Sequence, residues 1–358
     1  MSSAMTDGND RHLPDPLHGR PQISRYAGLG VLSSVLLMGV LVSLAFGSVS
    51  IPLSDVITVL FGGQATNPTW QQIILQFRLP RTITAIAAGS ALATSGLQLQ
   101  ALFRNPLAGP SLLGINAGAS LGAALVVLTR GTANAGNGFV QISIIGAASL
   151  GAGMSMGVVL LVAQRVRSAL ALLIFGLMFG YMTTALVTIL LHFSLLTQTQ
   201  AYLNWTFGSF SNVTWQQMPL LLPVIALGLG GSQLLHKALN LLLLGEAQAQ
   251  SIGLSVNRTR CLLIFSSSLL SGSVTAFCGP IAFVGVAVPH LCRSLFRTVD
   301  HRILVPAVAL LGAILALIAD AISQLPGSQS VLPLNAVMAV LGAPILIWLM
   351  LKRQQSLY

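Results

Sequence analysis

Charge-free apolar runs recur along this chain at lengths that suit a bilayer. Residues 82–103 carry no charged side chain, and at about 1.5 Å per residue such a run crosses a hydrocarbon core. Arg104, Asn105 and Pro106 then interrupt it with a charge and a turn-forming pair, and residues 107–128 are charge-free again. Two spans therefore meet in a tight turn. Gly89, Ser90, Ala91, Ser95 and Gly96, then Gly114, Gly118 and Gly122 at spacing four, make faces on which helix backbones can approach closely. This pair is expected to pack against protein as well as lipid.

The same reading of the whole chain predicts ten spans. The first covers 26–47 and is followed by a short surface helix at 51–61 and an interfacial loop at 62–77. A loop from Arg130 to Gly138 separates the third span from the fourth, 139–164, where Gly153 and Gly157 predict another small-residue packing face. Residues 168–236 contain no Asp, Glu, Lys or Arg. That is too long for one helix, so it divides into spans at 169–191 and 218–236 around an exposed connection carrying Trp205 and Trp215, which suit a membrane interface. Gly279-Pro280 and Pro289 divide the next run into a full span ending near 278 and a short one at 282–292; spans at 303–325 and 331–351 follow, with a turn at 326–330. Residues 1–25 read as a polar, disordered tail and 354–358 as a short closing one.

Composition fixes the class. The 358 residues are 54% hydrophobic and 7% charged, which excludes a soluble domain and leaves an all-α polytopic membrane protein. The net charge of +10 is then an orientation signal. With ten spans, all of the 17 Lys and Arg except Arg78, Arg81 and Arg130 fall on one side; deleting the short eighth span would divide them almost evenly. The positive-inside rule thus favours ten spans with both termini cytoplasmic, and nucleic acid is not an expected partner. Cys261, Cys278 and Cys292 lie in or beside apolar segments, so no disulfide framework is expected. With His290 they read as buried small hydrophobes and a helix-end histidine rather than a metal site.

Six motifs carry a resemblance: RLPR at 78–81, SGLQLQALFRNPLAGPSLLGINAGASLGA at 95–123, LGEAQAQSIGLSV at 244–256, GPIAFVGVAVPH at 279–290, DHRILVPAVALLGA with LIAD at 300–320, and LPLNAVMAVLGAPILIWLML at 332–351. In order and spacing they resemble the FecCD-type permeases of type II ABC importers for ferric siderophores, haem and cobalamin, over about 26–353. The resemblance implies a ten-helix permease of the bacterial inner membrane, paired with a second copy or a paralogue. It also implies two ATPase subunits that bind ATP and Mg, a periplasmic or lipid-anchored binding protein, and no cofactor in this chain. Arg78 and Arg81 resemble the family's docking arginines for that binding protein, though a helix-end anchoring role would also place them there. Where several members carry a further arginine, this chain has Gln324. Residues 237–258 resemble the coupling segment that seats on the ATPase, with Gly245, Glu246, Ala247, Ala249, Ile252, Gly253 and Leu254 as its contact set. Gly245 can open a helix whose positive end Glu246 favours. Asn105, Pro106 and Leu107 resemble the cytoplasmic gate, with the residues near Ser168 a weaker candidate.

The chain has no GxxxxGK[ST] motif, so the energy source is expected in a separate subunit. A secondary transporter coupled to ions would need carboxylates near the midplane, and only Asp320 lies within a span, close to its end. For Asp320 a hydrogen bond to neighbouring backbone or an interfacial position is the expectation. An integral membrane enzyme would need clustered His, Cys or acidic residues, and the six histidines and seven acids are scattered. The cargo expected first is a ferric siderophore, with haem or cobalamin as the alternatives.

Overall fold

The computed structural model describes residues 22–47, 49–130, 138–166, 168–324 and 331–355, and every regular element in them is helical. In chain order these are α1 (Gln22–Ala45), α2 (Leu53–Leu60), α3 (Pro68–Gln72), a π-helical turn (Ile73–Arg78), α4 (Leu79–Phe103), a 3-10 turn (Pro110–Leu113), α5 (Ile115–Arg130), α6 (Gly138–Arg165), α7 (Ala169–His192) and α8 (Leu196–Thr206). There follow a 3-10 turn (Phe210–Asn212), α9 (Met218–Leu234), α10 (His236–Leu243), α11 (Glu246–Ser251), α12 (Val256–Cys278), α13 (Val284–Phe296), α14 (His301–Ser323) and α15 (Leu334–Gln355). Residues 1–21, 48, 131–137, 167, 325–330 and 356–358 lie outside the described residues, and with them most of the expected tails, of the loop after the third span and of the turn before the last.

Each expected span coincides with a helix: α1, α4, α5, α6, α7, α9, α12, α13, α14 and α15. Among the described residues, α1, α6, α7, α12 and α14 are long and apolar enough to cross a membrane alone, and α9 with α10 makes a sixth segment bent by 51°. α5, α13 and α15 are shorter apolar helices. α4 is long, but its Thr, Ser, Gln and Gly positions keep it from reading as lipid-facing. The reason is its place. Nearly every side chain from Thr84 to Leu102 is buried, because α4 runs through the middle of the bundle and meets protein on all sides.

Glycine makes that burial possible. A Cβ on Gly96 would stand 1.7 Å from the Gly285 carbonyl oxygen of α13, and one on Gly89 would stand 2.3 Å from the Gly312 carbonyl oxygen of α14. Backbone lies on backbone at both sites, as small-residue interfaces in membranes allow. The α5–α6 pair uses the same device through Gly118, Gly122 and Gly151. Polar side chains tie the layers together: Gln98 Nε2 donates to Ser232 Oγ at 2.7 Å and to Ser266 Oγ at 3.0 Å, joining α4 to α9 and α12.

The structure corrects several expectations. The second small-residue face at Gly153 and Gly157 meets nothing of this chain within 4 Å; the α6 glycine that packs is Gly151, against Gly118 and Gly122 of α5. Residues 62–77 are not a plain loop: Asn67 Oδ1 accepts from the Thr69 amide at 2.9 Å and caps α3, whose Pro68 suits a first turn. The chain then continues helically into α4. The missing N–H of Pro80 leaves a gap in the ladder there, and a π turn takes up the irregularity. α13 runs on to Phe296 through Pro289, a tolerated proline because the neighbouring helices cover the freed backbone.

Candidate functional site

The candidate residues gather at two opposite ends of the bundle. At the first end the π turn directs Arg78 inward. Its guanidinium donates to the carbonyls of Leu44 at 2.7 Å and Ala45 at 2.9 Å, and to that of Val49. These acceptors include the last carbonyls of α1, which have no partners within their own helix. Arg78 is therefore a buried cap on α1, and neither a headgroup anchor nor a freely exposed docking charge describes it. One turn along α4, Arg81 makes a two-pronged pair with Asp320 on α14. Nε donates to Oδ1 at 3.0 Å and Nη2 to Oδ2 at 2.6 Å, with a further bond from Nη2 to the Asp320 carbonyl at 3.2 Å. The pair is mostly enclosed, with side-chain exposures of 16% and 6%. The expected backbone or interfacial role for Asp320 is thus corrected: its carboxylate is held by a charge 239 positions away in the chain.

Between these groups lies a cavity of about 390 Å³ lined by Arg78, Arg81, Ser43, Thr82, Thr214 and Gln324, among others. It brings the two arginines and Gln324 together. Its rim is aromatic, with Phe46 and Phe77 exposed.

At the other end, α10 and α11 form a short helical pair. Gly245 opens α11 at φ +105°, a left-sided conformation that suits glycine, and Gly253 closes the segment at φ +99°. Glu246 is half-exposed and accepts from Arg260 Nη2 at 2.8 Å, while Arg260 Nη1 donates to the Val166 carbonyl at 2.9 Å beyond α6. Arg260 is buried, so Glu246 works inward as well as outward. Gly245 and Ala249 are buried, while Leu254 is half-buried with one side on the main core. The exposed apolar and small positions are Leu243, Leu244, Ala247, Ile252 and Gly253.

The turn after α4 sits against this segment. Arg104 takes a left-handed conformation at φ +47°, and a Cβ on Gly245 would meet its guanidinium at 3.4 Å. Asn105 Oδ1 accepts from the Leu107 amide at 2.9 Å, a self-contained Asx turn that leaves Pro106 and Leu107 exposed. Ser168 caps α7 through the Ala171 amide at 3.3 Å. The candidate gate turn and the candidate coupling segment thus lie side by side.

Two polar groups here were missed by sequence reasoning. Arg293 Nη1 donates to Gln100 Oε1 at 2.6 Å, fastening α13 to α4. Asn240 joins α10 to the start of α14 through Asp300 and His301. Burial disfavours the ionised Asp300, but the Asn240 amide, the Arg302 N–H and the neighbouring His301 and His236 outweigh it and hold its carboxyl below the usual carboxylate range. Among the described residues, no three His, Cys, Asp or Glu side chains stand together as a metal site would need.

A bundle of apolar helices packed through glycine, with an arginine-lined cavity at one end and a short helical pair beside a tight turn at the other, defines the transmembrane subunit of a transporter. Residues 35–352 match the family model described as the FecCD transport family, and the chain belongs to that family. It is similar to the vitamin B12 import system permease protein BtuC of Shigella boydii serotype 18, at 35% identity over 325 residues, 90% of this chain and 94% of that protein. The BtuC of Salmonella typhi matches over the same share at 36% identity. A solved chain, from an inward-facing conformation of a metal-chelate type ABC transporter, superposes with a TM-score of 0.80 at 29% identity, over 91% of this chain and 99% of that one. The fold is that of a type II ABC importer permease, and ATP hydrolysis belongs to a separate subunit.

Proposed function

We propose that this chain forms the translocation path for a cobalamin-class metal chelate across the inner membrane, in a complex of two permease copies, two ATPase subunits and one binding protein. Extended similarity to BtuC carries the choice of cargo, since it runs over 325 residues, 90% of this chain. That displaces the ferric siderophore favoured by the motifs alone. Ten spans with both termini cytoplasmic remain the topology that the basic residues support, which makes the Arg78 cavity periplasmic and the α10–α11 surface cytoplasmic.

Within this reading Arg81, at the cavity wall, meets an acidic residue of the binding protein, while Arg78 shapes the cavity by holding the end of α1. Leu243, Leu244, Ala247 and Ile252 present the face that an ATPase groove covers. A second copy packs on α7, where Ile174, Met178, Tyr181, Met182, Leu186 and Ile189 are all exposed. Nucleotide-driven closure of the ATPases then moves α10 and α11 and, through the adjoining Arg104–Leu107 turn, the gate.

The test is uptake by proteoliposomes holding the permease, its ATPase and the cognate binding protein. Labelled cyanocobalamin should accumulate only with internal ATP, and excess ferric siderophore should not compete. Accumulation of the siderophore instead would reject the cargo, and accumulation on an ion gradient without ATPase would reject the ATP-driven reading. Ile252→Glu should abolish co-purification of the ATPase with a folded permease. Glu246→Arg is a poorer probe, because it would set two cations together at Arg260.

A further inference from the structure

Asn240 spends its whole side-chain amide on one junction. Nδ2 donates to Asp300 Oδ1 at 2.7 Å, while Oδ1 accepts the His301 backbone N–H at 2.8 Å and lies 2.8 Å from His301 Nδ1. Asp300 Oδ1 also accepts the Arg302 amide at 2.9 Å, so the residue that caps α14 is the one Asn240 holds. Pro306 removes the helical partner of the Arg302 carbonyl, and Gln233 Nε2 approaches that carbonyl at 3.5 Å. Residues on both sides of the α9–α10 bend therefore address the first turn of α14. His301 is buried beneath them.

The bend decides where a displacement of α10 goes. α9 and α10 meet at 51°, so a push on α10 does not pass along α9 as along one rod. α14 is continuous for 23 residues, roughly 35 Å, and α10 is fastened to its beginning. Along its length α14 is keyed to α4 by the Gly89–Gly312 backbone contact and by the bond from Ser90 Oγ to the Ala309 carbonyl at 2.9 Å. Near its far end Asp320 grips Arg81 beside the other cavity.

We propose that α14 is the mechanical link between the ATPase-facing segment and the docking cavity, with Asn240 as the positioning residue at one end and the Arg81–Asp320 pair as the attachment at the other. The proposal rests on the assignment of α10–α11 to the ATPase and of the Arg81 cavity to the binding protein. Loaded binding protein that engages Arg81 draws on Asp320, and the strain reaches α10 through Asp300 and Asn240. Two distant sites are thereby joined by a physical element rather than by distance alone.

The experiment uses the complete transporter in nanodiscs and reads the ratio of ATP hydrolysis with loaded binding protein to hydrolysis without it. Asn240→Asp places two carboxylates face to face and should reduce that ratio by about fivefold or more, the lower end of ordinary allosteric coupling. The exchanged pair, Asn240→Asp with Asp300→Asn, restores a donor opposite an acceptor and should recover the ratio, which a loss of local stability alone would not predict. Asp320→Asn, at the other end of α14, should lower the ratio in the same way and decides the matter if Asn240→Asp fails to fold. A wild-type ratio in either single variant with its ATPase still bound, or an exchanged pair that stays uncoupled, overturns the proposal. A wild-type chain that binds no ATPase subunit would instead overturn the assignment of the coupling segment, and co-purification reads that separately.

Discussion

Replacing Gly96 by alanine tests the central packing most directly. The added Cβ would lie 1.7 Å from the Gly285 oxygen, 2.4 Å from its carbonyl carbon and 2.5 Å from its Cα. Ordinary contact begins near 3.4 Å, so α4 and α13 must part by roughly 1.7 Å at that level, and close-packed interiors give little. No flexible side chain is available to yield. Gly285 is itself confined by Pro110 Cδ and the Leu92 carbonyl. Overpacking generally costs ~1–3 kcal/mol, and backbone against backbone belongs at the upper end. A loss of ~3 kcal/mol corresponds to a fall of about 4 °C in melting temperature for a chain of this length. The assay is size-exclusion of detergent-solubilised protein after stepwise heating, with Gly153→Ala as the control. Gly153 meets nothing within 4 Å, and alanine there gains up to ~1 kcal/mol of helix propensity. Equal melting temperatures for the two variants would refute the close α4–α13 contact.

Two more outcomes concern the buried polar groups at the two ends of the bundle. Arg78→Ala deprives the Leu44, Ala45 and Val49 carbonyls of a charged donor, at ~1.5–3 kcal/mol per bond before rehydration from the cavity; hydrogen exchange at 44–51 should rise, and Arg78→Lys should restore only part, since an ammonium cannot reach the acceptors as a planar fork does. The Asp300 carboxyl sits below its unfolded value of ~3.9, so its contribution is complete above that value and is lost as pH falls through the lower, folded one. Amide protection in 240–304 should therefore weaken only in acid, and Asp300→Asn should remove that pH dependence; protection that fades as pH rises would contradict the sign.

How much of this was legible in the sequence depends on the range of the interaction. α4 was readable from an uninterrupted charge-free run, and its burial from the small residues within it, because both are local properties of the chain. The helical start at Asn67-Pro68 carried a readable capping signal that its interfacial composition obscured. Gly153 and Gly157 show the limit of spacing as evidence: a small-residue face says that close approach is possible, and only a neighbouring helix makes it actual. Glu246 and Arg260 are 14 positions apart, within reach of a guess, whereas Arg81 with Asp320 joins residues 239 positions apart. Nothing in either local sequence names the other.

Arg78 and Arg81 both have internal partners that neither a docking nor an anchoring role would lead one to expect. In a chain with few charges, an arginine at a helix end reads as a contact for something outside. Yet a helix end buried in a bundle has orphan carbonyls, and a carboxylate near the membrane boundary needs a partner. Arg78 and Arg81 answer those two internal needs first. Under the proposed docking, a binding protein would have to compete with Asp320 for Arg81 rather than find a free charge, and that competition would let α14 feel the docking. An exposed, unpaired arginine would bind an acidic residue without loosening anything behind it.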